Sequence, residues 1–599
     1  MFDFSRSVLR SFDVSVQRQP HAVSVVDGNV ALTRSELRLR SVELAAELAR
    51  RGVGAGTHVG ICVDRSAALI VAVLGVLRTG AAYVPIDPSY PEDRIDWMLA
   101  DCSAAAVILG NERRVGGRLS AAASVTLSRG GELSAPLTAG PVASDFMSAD
   151  PGPSDPAYTV YTSGSTGRPK GVTIDHGGLL NLVRWHCGAF NLDDSDRASQ
   201  IASPGFDAAV WETWPPLVIG AELHIVPEPL KTDPLGLRDW LVEHQIAVGF
   251  VPTAVAEGLI TLDWPAETTL RSMLTGGDAL TRRPRSDLPF TLVNNYGVSE
   301  AAVVATSGRV DPLTAGAPSI GRPIPGVLAE IVDVTGAPVP DGIDGELVLG
   351  GVSVGLGYLN RPELTAERFY ADARGRWYRT GDRMRFTSGG ELEYLGRMDD
   401  QLSVRGFRVE PAEIAAALND HPAVNASVAV CVGNSSAERR LIAYAVASGD
   451  RPADAELSAF IAPRLPEPMR PSAYVWLDAL PLTAHGKVDR AALPDPGSDP
   501  RQAAEAGVGV ELGVEGEARV ADTIAGIVAD LLGLPAIGVD DNFFLLGGHS
   551  MLGAQLIIRL GERYDVEVTL RYLFDHPTAT ALAVEVQTQR AEFDAVAAA

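Results

Sequence analysis

Between residues 494 and 500 the chain reads Pro-Asp-Pro-Gly-Ser-Asp-Pro, followed by an Ala/Gly/Glu-rich stretch to Gly516. Prolines at that density remove backbone donors and fix φ, so neither helix nor strand can run through them. The segment reads as an interdomain linker, and the chain cannot fold around one core. Its 599 residues agree, since ~150 residues per domain suggests about four units. A second boundary follows the turn at Gly389-Gly390, where the strand-like Glu391–Leu395 runs into the charged Arg397-Met398-Asp399-Asp400. The expected division is 1–397, 398–494, a linker over 495–515, a small module over 516–590 and a tail over 591–599.

The front part reads as layered α/β. Thr33-Arg34-Ser35-Glu36 has capping-box spacing, and Leu37, Leu44, Ala45 and Leu48 then share one helix face. Short β-rich runs such as Tyr83–Ile86 and Ala247–Val251 alternate with helical patterns such as Leu237–Val242. The order of strands is not readable at this level. The longest apolar run, Ala67–Leu77, lies between Arg65 and Arg78 and is too short to span a bilayer, so it is expected to be a buried helix. Beyond the linker, Val520, Ile524, Ile527, Val528 and Leu531 follow helical spacing, as do Met551, Leu552, Leu556 and Leu560. The last module is therefore an all-α bundle of the four-helix type. The expected fold class is multidomain: a large layered α/β part, a small α+β part and this helical module.

Composition narrows the partners. With 50 Lys+Arg against 75 Asp+Glu the net charge is −25, which repels nucleic acid and anionic membranes. Neither is expected as a partner. The four cysteines, Cys62, Cys102, Cys187 and Cys431, are far apart and form no CxxC pair. With no signal-like segment after Met1, a reducing cytoplasmic setting is expected.

The strongest chemical signal is Tyr161-Thr162-Ser163-Gly164-Ser165-Thr166-Gly167-Arg168-Pro169-Lys170-Gly171. Glycines let a backbone approach an anion, hydroxyls add donors and Lys170 supplies positive charge. The loop is not a Walker A loop, because Pro169 precedes Lys170 and Gly171 occupies the Ser/Thr position. Taken alone it is also compatible with a flexible Ser/Gly turn.

Further motifs follow in order: Asn294-Asn295-Tyr296-Gly297-Val298-Ser299-Glu300, Tyr378-Arg379-Thr380-Gly381-Asp382, Gly396–Gln401 with Arg405-Gly406, and Gly486-Lys487-Val488-Asp489-Arg490. Over about residues 10 to 495 the set resembles the adenylation domains of nonribosomal peptide synthetases. Asp541-Asn542-Phe543-Phe544-Leu545-Leu546-Gly547-Gly548-His549-Ser550 resembles a peptidyl carrier protein. The resemblance implies ATP, Mg²⁺ and covalent 4′-phosphopantetheine as cofactors. It implies that Thr162, Ser163, Gly164, Ser165, Thr166, Gly167 and Lys170 cradle phosphates, that Ser299 contacts the α-phosphate and that Glu300 holds Mg²⁺. Asn294 and Tyr296 would face adenine, Asp382 the ribose, with Tyr394 and Arg397 nearby. Val298 and Ser299 depart from the family's usual Pro and Thr.

Lys487, otherwise a solvated loop charge, becomes the catalytic lysine bridging the substrate carboxylate and the ribose-phosphate oxygens. Ala484-His485 stands where Pro-Asn is usual. Asp399 matches the family's hinge and Gly406 its thiolation loop; about that hinge the C-terminal subdomain reorients between half-reactions. Ser550, after two glycines at a helix start, is the implied phosphopantetheine attachment site.

Phe206-Asp207-Ala208-Ala209-Val210-Trp211-Glu212 matches the family's substrate motif. Asp207 would receive the α-ammonium, although Asp is also a common helix cap. The implied pocket is Asp207, Ala208, Trp211, Gly249, Leu274, Gly276, Asn295, Val303 and Val304, closed by Lys487. Apart from Asp207 and Lys487 it is uncharged, so acidic and basic side chains are disfavoured by several kcal/mol of lost hydration. The set is similar to leucine pockets, with Gly249 where a large residue is common. That glycine is expected to leave room, so a bulkier aliphatic or an aromatic amino acid, with one polar group addressing Asn295, is the competing reading. The expected reaction is amino-acid adenylation followed by thioester formation on the chain's own carrier. An acyl- or aryl-acid ligase, or a carrier-binding module with an inactive adenylation part, is the alternative. Expected partners are the amino acid, a phosphopantetheinyl transferase, condensation or tailoring enzymes acting in trans, and a small MbtH-like activator of the kind that accompanies some family members.

Overall fold

The computed structural model describes residues 7–110, 124–134, 146–164, 167–399, 401–404, 407–433, 439–481, 488–494, 515–532, 534–543, 546, 548, 550–566, 568, 572–573 and 576–597. Two compact units emerge: Met1–Gly164 with Arg168–Arg408, and Val409–Ala599 with Ser165–Gly167.

The first unit holds two large sheets. One runs Arg322–Pro323, Thr306–Arg309, Thr291–Tyr296, Ser272–Gly276, Val248–Phe250, Arg197–Gln200, Glu222–Ile225, Val23–Asp27, Val30–Thr33. Its inner six strands pair in parallel and its margins are antiparallel. The other runs Gly357–Tyr358, Lys170–Asp175, Pro156–Thr162, Ala82–Pro85, His58–Cys62, Ala106–Gly110, Ser124–Leu127. Parallel strands need crossover helices, which cover the faces and demand near-continuous apolar strands such as Ala82–Pro85, buried at every residue. The apolar run forms the helix Ala67–Arg78, buried along its whole length. Thr33 and Glu36 close a reciprocal capping box at the start of Arg34–Arg50. An antiparallel sheet from Val327–Val332 to Leu392–Arg397 completes the unit and carries Asp382 on the long strand Gly375–Phe386.

In the second unit, Val424–Val432, Arg440–Ala447 and Ala473–Leu477 form a sheet accompanied by the helices Pro411–Asn419 and Asp454–Ile461. The helices Glu515–Leu532, Ser550–Tyr564 and Ala579–Ala597 follow, around a core that includes Ile524, Val528, Phe543, Leu556, Leu560 and Leu582. The α/β and all-α reading of the sequence matches this architecture. No helix among the described residues is long and apolar enough to cross a membrane.

Candidate functional site

The phosphate-loop sequence connects two antiparallel strands, with Thr162 opposite Lys170 and Tyr161 opposite Gly171. Pairing across the loop places Lys170 beside the residues that open it. Gly164 is sterically required, because a Cβ there would lie 1.9 Å from the Arg168 carbonyl oxygen. Ser163 is buried and donates to the Arg408 carbonyl at 2.7 Å. Thr162 Oγ1 is buried with no hydrogen-bond partner among the described residues, an orphaned hydroxyl of the kind a phosphate oxygen can satisfy. Ser165 and Thr166 lie outside the described residues.

Glu300 gathers the charges. It sits in a short 3₁₀ turn, Ser299–Ala301, and is fully buried. Its Oε1 accepts from the Tyr358 hydroxyl at 2.7 Å and lies 3.6 Å from Lys170 Nζ, while Oε2 pairs with Arg408 at 2.8 Å. Burial alone would raise its pKa, yet Arg408, Lys170 and the Tyr358 hydroxyl together hold it at about 2. A permanently ionised, buried oxygen ligand suits a hard divalent cation. No cluster of three or more His, Cys, Asp or Glu able to hold a metal occurs among the described residues. Mg²⁺ is commonly held by one or two carboxylates plus substrate phosphates, so a single buried carboxylate such as Glu300 suits it.

One residue earlier, Ser299 donates to Asp207 Oδ2 at 2.5 Å. Asp207 stands at the head of the helix Ala208–Ile219, and its side chain makes no cap hydrogen bond there. Burial pushes its carboxyl up to about 6, with the Ser299 hydrogen bond acting against that rise. Ala208 and Trp211 follow on the same helix, both buried. Leu274, Gly276 and Asn295 lie on adjacent parallel strands, Gly276 paired with Asn295. Asn295 donates through Nδ2 to the Thr275 and Val293 carbonyls, leaving buried Oδ1 without a partner among the described residues. Val303 has φ +73° after Ala302 at +53°, backbone that a β-branched residue adopts only under constraint. Val303 and Val304 are both buried. The room expected beside Gly249 is partly taken, because a Cβ there would lie 2.5 Å from Ser199 Oγ on the neighbouring strand.

A third group surrounds Asp382. The Tyr296 hydroxyl donates to its Oδ2, and Arg397 Nη1 pairs with Oδ1 at 2.8 Å. Burial raises the Asp382 pKa, with Arg397 opposing. Arg397 also grips Asp399 through two bonds of 2.6 and 2.7 Å. Asn294 donates to the Ser319 carbonyl at 2.9 Å, and Tyr394 lies partly exposed on the strand leading to Arg397. The structure thus brings together Lys170, Glu300, Ser299 and Asp207, and separately Tyr296, Asp382, Arg397 and Asp399. Lys487 and Gly406 lie outside the described residues. Ser550 begins the helix Ser550–Tyr564. Gly548 ahead of it admits no side chain, since a Cβ would meet the Phe543 ring at 2.4 Å.

Sequence reasoning missed Tyr358, Arg408, Ser199 and His186, the last of which accepts from Trp211 Nε1 at 2.9 Å. Arg408 lies two residues beyond the quoted Arg405-Gly406; the others carry no local signal.

Comparisons with known proteins identify the family. The family of AMP-binding enzymes matches residues 12–359, its C-terminal domain 413–487 and the phosphopantetheine attachment site 522–584. One component of the linear gramicidin synthase of Brevibacillus parabrevis is 45% identical over 95% of this chain, which spans 11% of that component's length. Holo-PA1221, an NRPS protein containing adenylation and PCP domains bound to a vinylsulfonamide inhibitor, is 25% identical, with a TM-score of 0.79 over 98% of both chains. NpsA-ThdA, an artificially fused adenylation-PCP di-domain from Klebsiella oxytoca, is 27% identical with a TM-score of 0.69, over 78% of this chain and 93% of that one. The AMP-binding part uses ATP with Mg²⁺, and the attachment domain carries phosphopantetheine covalently. The chain therefore belongs to the AMP-binding enzyme family, as an adenylating ligase joined to a phosphopantetheine carrier in the manner of nonribosomal peptide synthetases.

Proposed function

We propose that this chain activates an uncharged, bulky apolar amino acid, leucine-like or larger, as aminoacyl-AMP and passes it to its own carrier domain. The observation that carries the reading is the 2.5 Å hydrogen bond between Asp207 and Ser299. It ties a buried carboxylate suited to an α-ammonium to the residue next to Glu300. An amino acid held by Asp207 therefore has its carboxylate beside the phosphate and cation groups, and proximity of that kind supplies much of the catalysis in adenylyl transfer to a carboxylate. The substrate carboxylate is ionised at neutral pH and attacks the α-phosphorus of ATP without a general base, forming the acyl–phosphate bond as the bond between the α- and β-phosphates breaks and pyrophosphate leaves.

Thr162, Ser163 and Lys170 hold phosphate oxygens, with Gly164, Ser165, Thr166 and Gly167 completing the loop. Glu300 holds Mg²⁺, whose charge offsets that of the phosphates. Asn294 and Tyr296 address adenine, and Asp382 addresses the ribose hydroxyls with Arg397 beside it. Lys487 is the catalytic residue, aimed at charge that builds between the carboxylate and the α-phosphate. When bound at Ser550, phosphopantetheine supplies the thiol that receives the aminoacyl group. Asp399 and Gly406 serve the change between the two half-reactions. A phosphopantetheinyl transferase, an MbtH-like activator and condensation or tailoring enzymes belong to the proposal as partners. Cytoplasmic placement belongs to it too, supported by the wide separation of Cys62, Cys102, Cys187 and Cys431 in the sequence and the lack of any CxxC pair.

ATP–pyrophosphate exchange across the proteinogenic amino acids, hydroxylated and methylated variants and their desamino acids tests the reading. Exchange is expected with aliphatic or aromatic amino acids and not with acidic or basic ones. Equal exchange with desamino acids would replace it with an acyl-acid ligase.

A further inference from the structure

Trp211 and His186 are both buried, on the helices Ala208–Ile219 and His176–Ala189, and the Trp211 indole N–H donates to His186 Nδ1 at 2.9 Å. We propose that His186 is a positioning residue for amino-acid selection, fixing the orientation of the Trp211 ring at the pocket wall through this bond. The inference rests on the reading that Trp211 lines the amino-acid pocket.

The rest of the Trp211 environment is aromatic and tolerant of rotation. Trp185 stacks at 6.1 Å and 28°, and Phe250 lies tilted at 5.5 Å and 55°. Such contacts accept a flipped ring at similar area. The indole nitrogen can only donate, so any other rotamer would bury that donor unpaired. His186 thus supplies the directional contact that the ring contacts lack. It also takes up the indole donor, so that Trp211 faces a ligand with carbon alone. Burial holds the His186 pKa at about 3, so the ring stays neutral and Nδ1 remains an acceptor at working pH, with the proton on Nε2. Phe190 against His186, centroids 4.9 Å apart, holds the imidazole edge-on.

The test compares His186→Asn, which keeps an acceptor near the Nδ1 position, with His186→Leu and His186→Phe, which remove it. Pyrophosphate exchange is measured over a panel of aliphatic and aromatic amino acids. Both apolar variants are expected to raise KM for the preferred amino acid about tenfold and to narrow its lead over competitors, with KM for ATP unchanged, while His186→Asn retains most of the parent profile. In a Trp211→Phe background, His186→Leu should change the profile no further. Folded apolar variants with the parent's selectivity would overturn the proposal, as would a His186→Leu effect that persists without the indole. If only His186→Asn folds, His186 serves stability and the proposal falls. A Trp211→Phe profile identical to the parent's would remove the pocket reading itself, an outcome distinguishable from the others.

Discussion

Glu300 and Arg408 form a 2.8 Å ion pair in which the carboxylate is wholly buried and the guanidinium about one-fifth exposed. The oxygen proposed to hold Mg²⁺ is therefore already paired with a protein cation, and the two must compete. Arg408→Ala should lower the Mg²⁺ concentration for half-maximal pyrophosphate exchange, by roughly tenfold for each 1.4 kcal/mol of competition removed. Glu300→Gln should raise it and also destabilise the fold, since it leaves Arg408 and Lys170 facing a neutral amide. An unchanged Mg²⁺ requirement in both variants would separate this pair from the metal.

Asp207 yields a prediction in pH. With its carboxyl pushed up to about 6, it is largely ionised at pH 7 and protonated below pH 6. Pairing with an ammonium needs the ionised form, so kcat/KM for the amino acid should be level above pH 7 and fall about tenfold per unit below 6. Because the folded value exceeds the usual carboxyl value near 3.9, the same group favours the ligand-free fold at low pH and loses that effect as pH rises through 6. Asp207→Ala should abolish the inflection and weaken amino acids far more than their desamino acids. Equal losses on both substrates would remove Asp207 from ammonium recognition.

Gly249 and Ser199 make a prediction about pocket depth. A Cβ at 249 would crowd Ser199 Oγ at 2.5 Å, but that hydroxyl ends a short side chain and can be removed. Gly249→Ala should cost activity that Ser199→Gly restores, and Gly249→Phe placed in the Ser199→Gly background, where that clash is relieved, should exclude aromatic amino acids and spare leucine. Exchange profiles over leucine, phenylalanine and tryptophan decide it. Undiminished aromatic activation in that double variant would place Gly249 outside the pocket.

How legible the molecule was depends on range along the chain. The helix Ala67–Arg78 and the cap at Thr33 were readable because burial and capping leave local patterns. The Asp207 and Glu300 motifs were readable as contiguous strings. Arg408 reaches Glu300 across 108 residues and Tyr358 across 58, and neither separation leaves a mark in the sequence. Strand order hides likewise: Arg197–Gln200 lies between two strands that follow it in the chain, which is why Ser199 as the neighbour of Gly249 emerged only from the structure.

Lys487 tests the chemistry apart from binding. Lys487→Ala should slow adenylation by ~10²–10³, about 3–4 kcal/mol of lost charge stabilisation, with ATP binding and folding kept. Near-parental aminoacyl-AMP formation would defeat the assignment.

Ser550 separates carrier loading from activation. It begins the helix Ser550–Tyr564, and Gly548 ahead of it is seated against Phe543, which belongs to the carrier's own apolar core. Ser550→Ala should cost at most about 1 kcal/mol, the worth of a lost helix cap, and leave the carrier folded. Without the hydroxyl oxygen a phosphopantetheinyl transferase has no nucleophile on the protein, so no thiol is installed and covalent loading should vanish. Intact-protein mass spectrometry should show the phosphopantetheine and aminoacyl additions on the parent alone, while both proteins exchange pyrophosphate at the same rate, as expected for sites that share no partners. Retained loading would move the attachment site to another residue. Lost exchange would mean that activation depends on the carrier, despite the proline-rich stretch from Pro494 to Pro500 that separates them in sequence.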